Sequence, residues 1–190
     1  NPPELAENLA GLGLTVYLLP NPTDIEGVYA NLLTVAQLTG HTAEAETLVA
    51  SLRQRVQAVQ EKIAPLSYAP VVFYELDATD PNAPYTTGPG TFMHLLLGMA
   101  GGINAASSAP NTWAQFSTEE LLMQNPQVIL LGDAAYGITV EAVQSRPGWE
   151  ALDAVLNGRV YPFNDDLVSR PGPRLVDGLE ELVKLIHPEL

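Results

Sequence analysis

The sequence has no cysteine among its 190 residues. Thiol redox catalysis, thiolate metal sites and disulfides are therefore excluded. The absence suits an extracytoplasmic protein without establishing that location. Positive charge is also scarce. Eight basic residues stand against 22 acidic ones, for a formal net charge of −14. Nucleic acid is a poor partner for such a chain, because phosphate binding needs a basic footprint. An anionic lipid surface is disfavoured for the same reason, whereas a basic protein surface is compatible. No apolar run reaches the ~18 residues a membrane-spanning helix needs, and no signal peptide is visible. The chain opens on Asn1-Pro2-Pro3 rather than Met, so a processed or cut product is expected.

Signatures of catalysis are missing as well. The three histidines, His41, His94 and His187, form no helical metal pair and no H-E-x-x-H. His41 is expected at a helix junction, His94 within a helix, and His187 just past a helix end where a cation favours the dipole. No serine lies in G-x-S-x-G. Gly88-Pro-Gly90 and Gly11-x-Gly13 read as turns rather than phosphate loops. Asp165-Asp166 has the form of a paired acid and base, but a solvated loop explains it as well. Neither a catalytic set nor a resident metal or cofactor is expected.

What the chain does have is apolar content for a packed core, at 46%. Its pattern alternates helices with short strands. Residues 4–12 read as a helix and Leu14–Leu19 as a buried strand. Thr23 or Asp24 caps a helix running to about Thr39, and a long helix follows from Thr42 to about Ala64. At 1.5 Å per residue the long helix would span roughly 35 Å, enough to cross a domain or link two. Strands are expected at Pro70–Leu76, Gln127–Leu131 and Arg159–Phe163. Helices are expected at Thr91–Ala100, 118–124, Trp149–Leu156 and from about Pro173 to Ile186. This alternation predicts an α/β fold with a mostly parallel sheet. Ligands of such sheets collect beyond the carboxyl ends of the strands. The loops 77–90, 132–137 and 164–172 leave those ends, carrying Tyr85, Tyr136, Asp166 and Arg170. Tyr17, Tyr29, Tyr161, Phe73 and Trp149 are expected in the core.

The segment Trp113-Ala-Gln-Phe-Ser-Thr-Glu-Glu120 is the most specific local signal. Ser117 and Glu120 have the spacing of a capping box ahead of Leu121, Leu122 and Met123, and each can accept an N–H that the first turn leaves unpaired. Glu119 is then a solvent-facing carboxylate with no local role. Trp113 is a large aromatic in the preceding loop. Together they read as a contact surface.

Several segments in order resemble one family. Gly158-Arg-Val-Tyr161, Arg170-Pro-Gly-Pro-Arg174, Asp177-Gly-Leu-Glu180 and His187-Pro-Glu189 resemble the C-terminal end of class III substrate-binding proteins, the cobalamin, ferric-siderophore and haem binders of ABC importers. Tyr85-Thr-Thr-Gly88 through Ala100-Gly-Gly-Ile-Asn104 is similar to the opening of the family's second lobe. Phe116-Ser-Thr-Glu-Glu-Leu-Leu122 with Asn125-Pro-Gln-Val-Ile-Leu130 is similar to its helix and following strand. Leu38-Thr-Gly40 and the long helix resemble the spine joining the two lobes.

The resemblance implies residues 1–39 as a remnant of an N-terminal lobe, 40–64 as the spine and 65–190 as the C-terminal lobe. It implies a ligand cleft between lobes, half of which this chain would lack. It places Trp113, Tyr85, Asp166 and Arg170 at the ligand and Glu119 on an arginine of the permease; Tyr136 is expected at the ligand from its strand-end loop alone. It further implies a periplasmic or other extracytoplasmic location, with the membrane reached only through the permease or a lost lipid anchor. The expected ligand is a ferric siderophore or a corrinoid. Arg170 and Arg174 would suit the anionic siderophore; Trp113, Tyr85 and Asp166 would suit the corrinoid. A chelatase- or nitrogenase-like enzyme domain and a ligand-free interaction domain are the rival readings. The second rival requires that the 85, 113 and 166–170 loops fail to converge.

Overall fold

The computed structural model describes residues 3–190 and begins with helix α1 (Pro3–Gly11). Four parallel strands form its central sheet: β1 (Val71–Glu75), β3 (Ile103–Asn104), β5 (Val128–Leu131) and β6 (Val160–Pro162), in spatial order β3-β1-β5-β6. Strand residues alternate between two helical layers, as the period of two dictates. Val72, Tyr74, Val128 and Leu130 face one core, with α2 (Ile25–Thr39), α3 (Thr42–Ile63), α4 (Phe92–Met99) and α8 (Leu175–Ile186). Phe73, Ile129 and Leu131 face the other, with α5 (Thr118–Gln124), α6 (Val140–Gln144), α7 (Asp153–Leu156) and Trp149. The α/β fold with a parallel sheet flanked by helices is therefore present.

The caps follow local chemistry. Asp24 accepts the Gly27 N–H at 2.7 Å and starts α2. Ser117 accepts the Glu120 N–H at 3.2 Å while Glu120 accepts the Ser117 N–H at 2.8 Å, which completes the capping box of α5. The 22-residue α3, about 33 Å long, packs on α2 and α8. Arg55 fixes it there through Asp177 at 2.6 Å and Glu180 at 2.7 Å. Those bonds raise the Arg55 pKa, with burial opposing them, and lower that of Glu180.

Several expectations are corrected. Leu14–Leu19 is not a strand: residues 14–19 have no regular secondary structure and are exposed, and Tyr17 is outside the core. An apolar strand is stable only when neighbours take its backbone groups and cover its faces, and no described strand lies beside it. The helix expected over Trp149–Leu156 is broken into a 3₁₀ turn (Trp149–Ala151) and α7. Leu152 adopts an extended conformation between them, with its side chain fully buried. The stretches expected as loops around Tyr85 and Trp113 contain β2 (Tyr85–Thr87) and β4 (Trp113–Gln115), an antiparallel pair in which Thr87 faces Trp113. Trp113 thus stands on a strand. Helix α6 was not anticipated; Thr139 caps it through the Ala142 N–H.

Candidate functional site

The carboxyl ends of β1, β5 and β6 open onto two adjoining cavities. The first, about 600 Å³, is bounded by the β1–β2 loop, the segment after β5 and Asp165; Tyr85, Asp77, Asp133 and Tyr136 are in its wall. The second, about 330 Å³, is bounded by Trp113, Thr87, Phe92, Tyr74, Asp165 and the Val168–Pro171 segment. Leu76 and Asp165 belong to both walls and form the ridge between them. The loops after β1, β5 and β6 and the strand bearing Trp113 therefore converge.

Three of the expected residues stand in these walls with exposed rings: Tyr136 at 89% exposure, Trp113 at 57% and Tyr85 at 43%. Large aromatics left in solvent beside a concave polar floor are unusual for simple packing. Asp166 and Arg170 line neither cavity. They pair with each other, Nε to Oδ1 at 2.6 Å, on the exposed side of the loop. The same loop reaches the site through Asp165, Val168, Ser169 and Pro171 instead. Glu119 is exposed on the first turn of α5, outside both cavities.

The floor contains residues that the sequence did not single out. Tyr74, the fourth residue of β1, donates its hydroxyl to Asp165 Oδ1. Burial and the Asp165 carboxylate push the Tyr74 phenol up, so it stays protonated. Gly132 makes this bond possible. A Cβ on Gly132 would fall 2.1 Å from the Tyr74 hydroxyl, so any other residue would displace the ring.

Asp133 follows Gly132 and is 4% exposed. Its Oδ2 accepts the Ala78 N–H at 3.0 Å, tying the β1 loop to the β5 loop. Its Oδ1 has no partner among the described residues. Burial, and then the nearby Glu75, raise its pKa to about 6. Glu75 itself is fully buried and holds Arg146 by a bidentate pair, with Nη2 2.9 Å from Oε1 and a second, shorter contact from Nη1 to Oε2. The Arg146 guanidinium lies 4.5 Å from the centre of the Trp149 ring. Glu75 consumes this buried cation, so it does not reach the cavities. An acid closing the apolar run Pro70–Leu76 was the available sequence signal for the pair. Among the described residues no three acidic or histidine groups are placed to hold a metal ion.

Comparison with known proteins gives a consistent picture. Residues 2–167 match the family described as periplasmic binding protein. An uncharacterised ABC transporter substrate-binding lipoprotein of Bacillus subtilis, YvrC, is 34% identical over 185 residues, covering 96% of this chain and 57% of that protein. A cobalamin-binding protein of Halobacterium salinarum is 30% identical over 185 residues, 94% of this chain and 49% of that one. The crystal structure of an ABC-type Fe3+-hydroxamate transport system from Saccharomonospora viridis is 30% identical, with a TM-score of 0.71 over 96% of this chain and 65% of that one. This chain thus spans about half the length of these curated relatives.

Proposed function

Since the chain belongs to the periplasmic binding protein family, we propose that it serves as the substrate-binding component of an ABC importer. It captures a bulky metal-organic complex, a ferric siderophore or a corrinoid, outside the cytoplasmic membrane and hands it to the permease. The observation that carries this reading is the gathering of exposed Tyr85, Tyr136 and Trp113 around the Asp165 ridge at the strand ends. Rings of this size suit the flat or domed face of a large complex rather than a bare ion. Residues 65–190 form one wall of the cleft, α3 is the spine, and the facing wall comes from a second lobe. The relatives' names support the location and the ligand class: one is a substrate-binding lipoprotein and another binds cobalamin. No described helix is long and apolar enough to cross a membrane, which fits attachment through a partner or an anchor.

The test is thermal unfolding of the intact protein against cyanocobalamin, ferrioxamine B and ferric enterobactin. A specific ligand at roughly 100 times its Kd adds about 2.7 kcal/mol. No shift with any of the three overturns the reading.

A further inference from the structure

The two cavities differ from an anion site in a simple respect. Among the described residues, neither wall contains a lysine, arginine or histidine. Arg146 is closed off by Glu75 beneath the floor, and Arg170 is turned onto Asp166. The charges that do reach the first cavity are the carboxylates Asp77, Asp133 and Asp165. Hydrogen bonds from Thr79 hold Asp77 below the usual carboxylate range, so it stays ionised.

Acidity alone would not make a site. The second observation is that each wall includes a residue whose buried polar atom has no partner among the described residues. In the first it is Oδ1 of Asp133, whose other oxygen is already engaged by the Ala78 N–H. In the second it is Oγ1 of Thr87, a residue 3% exposed. An unsatisfied buried acceptor is destabilising, and folded proteins keep few of them. A ligand donor entering from the cavity would satisfy Asp133. Burial, and then Glu75, disfavour the ionised acid, and Tyr74 beside it presents a hydroxyl already committed to Asp165. The nearest cation, Arg146, is bound by Glu75, so among the described residues no cation stands in either wall.

We propose that Asp133 Oδ1, with Asp165 on the shared ridge, is an acceptor site for a hydrogen-bond donor on the ligand, so that this wall selects complexes with a cationic or carboxamide-bearing rim over polyanionic chelates. This rests on the binding-protein reading and narrows its ligand class.

Isothermal titration of the intact protein separates the two. Cyanocobalamin offers carboxamide N–H groups, ferrioxamine B a cationic amine, and ferric enterobactin a polyanionic surface. Binding of cyanocobalamin or ferrioxamine B about tenfold or more tighter than ferric enterobactin is expected, the difference one charge-assisted hydrogen bond supplies. Asp133→Asn keeps an oxygen for the Ala78 N–H and puts an amide donor where Oδ1 stood. It should weaken the preferred ligand about tenfold, with a melting temperature equal to or above that of the parent. Equal or tighter binding of ferric enterobactin, or full affinity in Asp133→Asn, overturns the proposal while leaving the importer reading intact. Silence with all three complexes overturns both. Should Asp133→Asn fail to fold, Asp165→Asn carries the same criterion, because it also exchanges a cavity-wall carboxylate for a donor.

Discussion

Asp133 carries a carboxylate where burial disfavours one, and its titration is the sharpest residue-level consequence of the structure. Its folded pKa is raised from 3.8 to about 6. Between those values the folded state holds more proton than the unfolded state, so stability falls as pH rises through this window and levels off above about 6. The contribution is thus full near pH 4 and lost at neutral pH. A shift of about two pKa units corresponds to roughly 3 kcal/mol. Asp133→Asn removes the titrating group while keeping the Ala78 bond. Denaturant unfolding should show the variant more stable than the parent at about pH 7.5, with the gap closing near pH 4, by up to roughly 3 kcal/mol. A gap of the same size at both pH values would show that Asp133 does not titrate as burial and Glu75 dictate. A carboxylate kept at a neutral-pH stability cost, inside a cavity wall, is the pattern expected of a group retained for binding.

At the scale of the element, α5 depends on its cap more than a long helix would. It has seven residues and buries only Leu121 among them, so little packing holds its first turn. Ser117→Ala removes the oxygen that accepts the Glu120 N–H and should cost about 1 kcal/mol in denaturant unfolding. A loss below a few tenths would mean that water replaces the box. Elements of this kind were legible in the sequence because their signals are local: the Ser117–Glu120 spacing and Asp24 ahead of Ile25. The misread elements depend on distant partners. Leu14–Leu19 has the composition of a strand but no described neighbour to pair with. Trp113 pairs with Thr87 across a pair of three-residue strands, too short for any periodicity to show. The site was half legible for the same reason. Tyr85, Tyr136 and Trp113 stand out by type and position, whereas choosing Asp165 over Asp166 depends on where Tyr74 points, and Tyr74 reads from sequence as one more core residue. Asp133 lay within an indicated loop, but its buried, half-satisfied state arises from the approach of Ala78, 55 residues away in sequence.

At the scale of the whole molecule, the proposed capture and delivery roles are separable, because the cavities and Glu119 lie on different surfaces. The cavities open at the strand ends, whereas Glu119 is exposed on the first turn of α5 and lines neither of them. Its neighbour Glu120 is spent on the cap, which leaves Glu119 free on a rigid helix start. A protein of net charge −14 is steered toward basic surfaces, and an exposed rim charge then sets orientation and encounter rate more than the total binding energy. Paired with an arginine of the permease, Glu119 would form a charge-assisted bond of about 1.5–3 kcal/mol. Glu119→Ala should therefore leave ligand affinity, measured by titration of the isolated protein, unchanged. Ligand uptake through the reconstituted importer at subsaturating binding protein should fall by about tenfold, and the remaining uptake should depend less on salt than that of the parent. A matching drop in ligand affinity would place Glu119 in the cleft rather than on the docking face. Unchanged uptake with unchanged affinity would leave the carboxylate without a partner and move the docking surface elsewhere on the lobe.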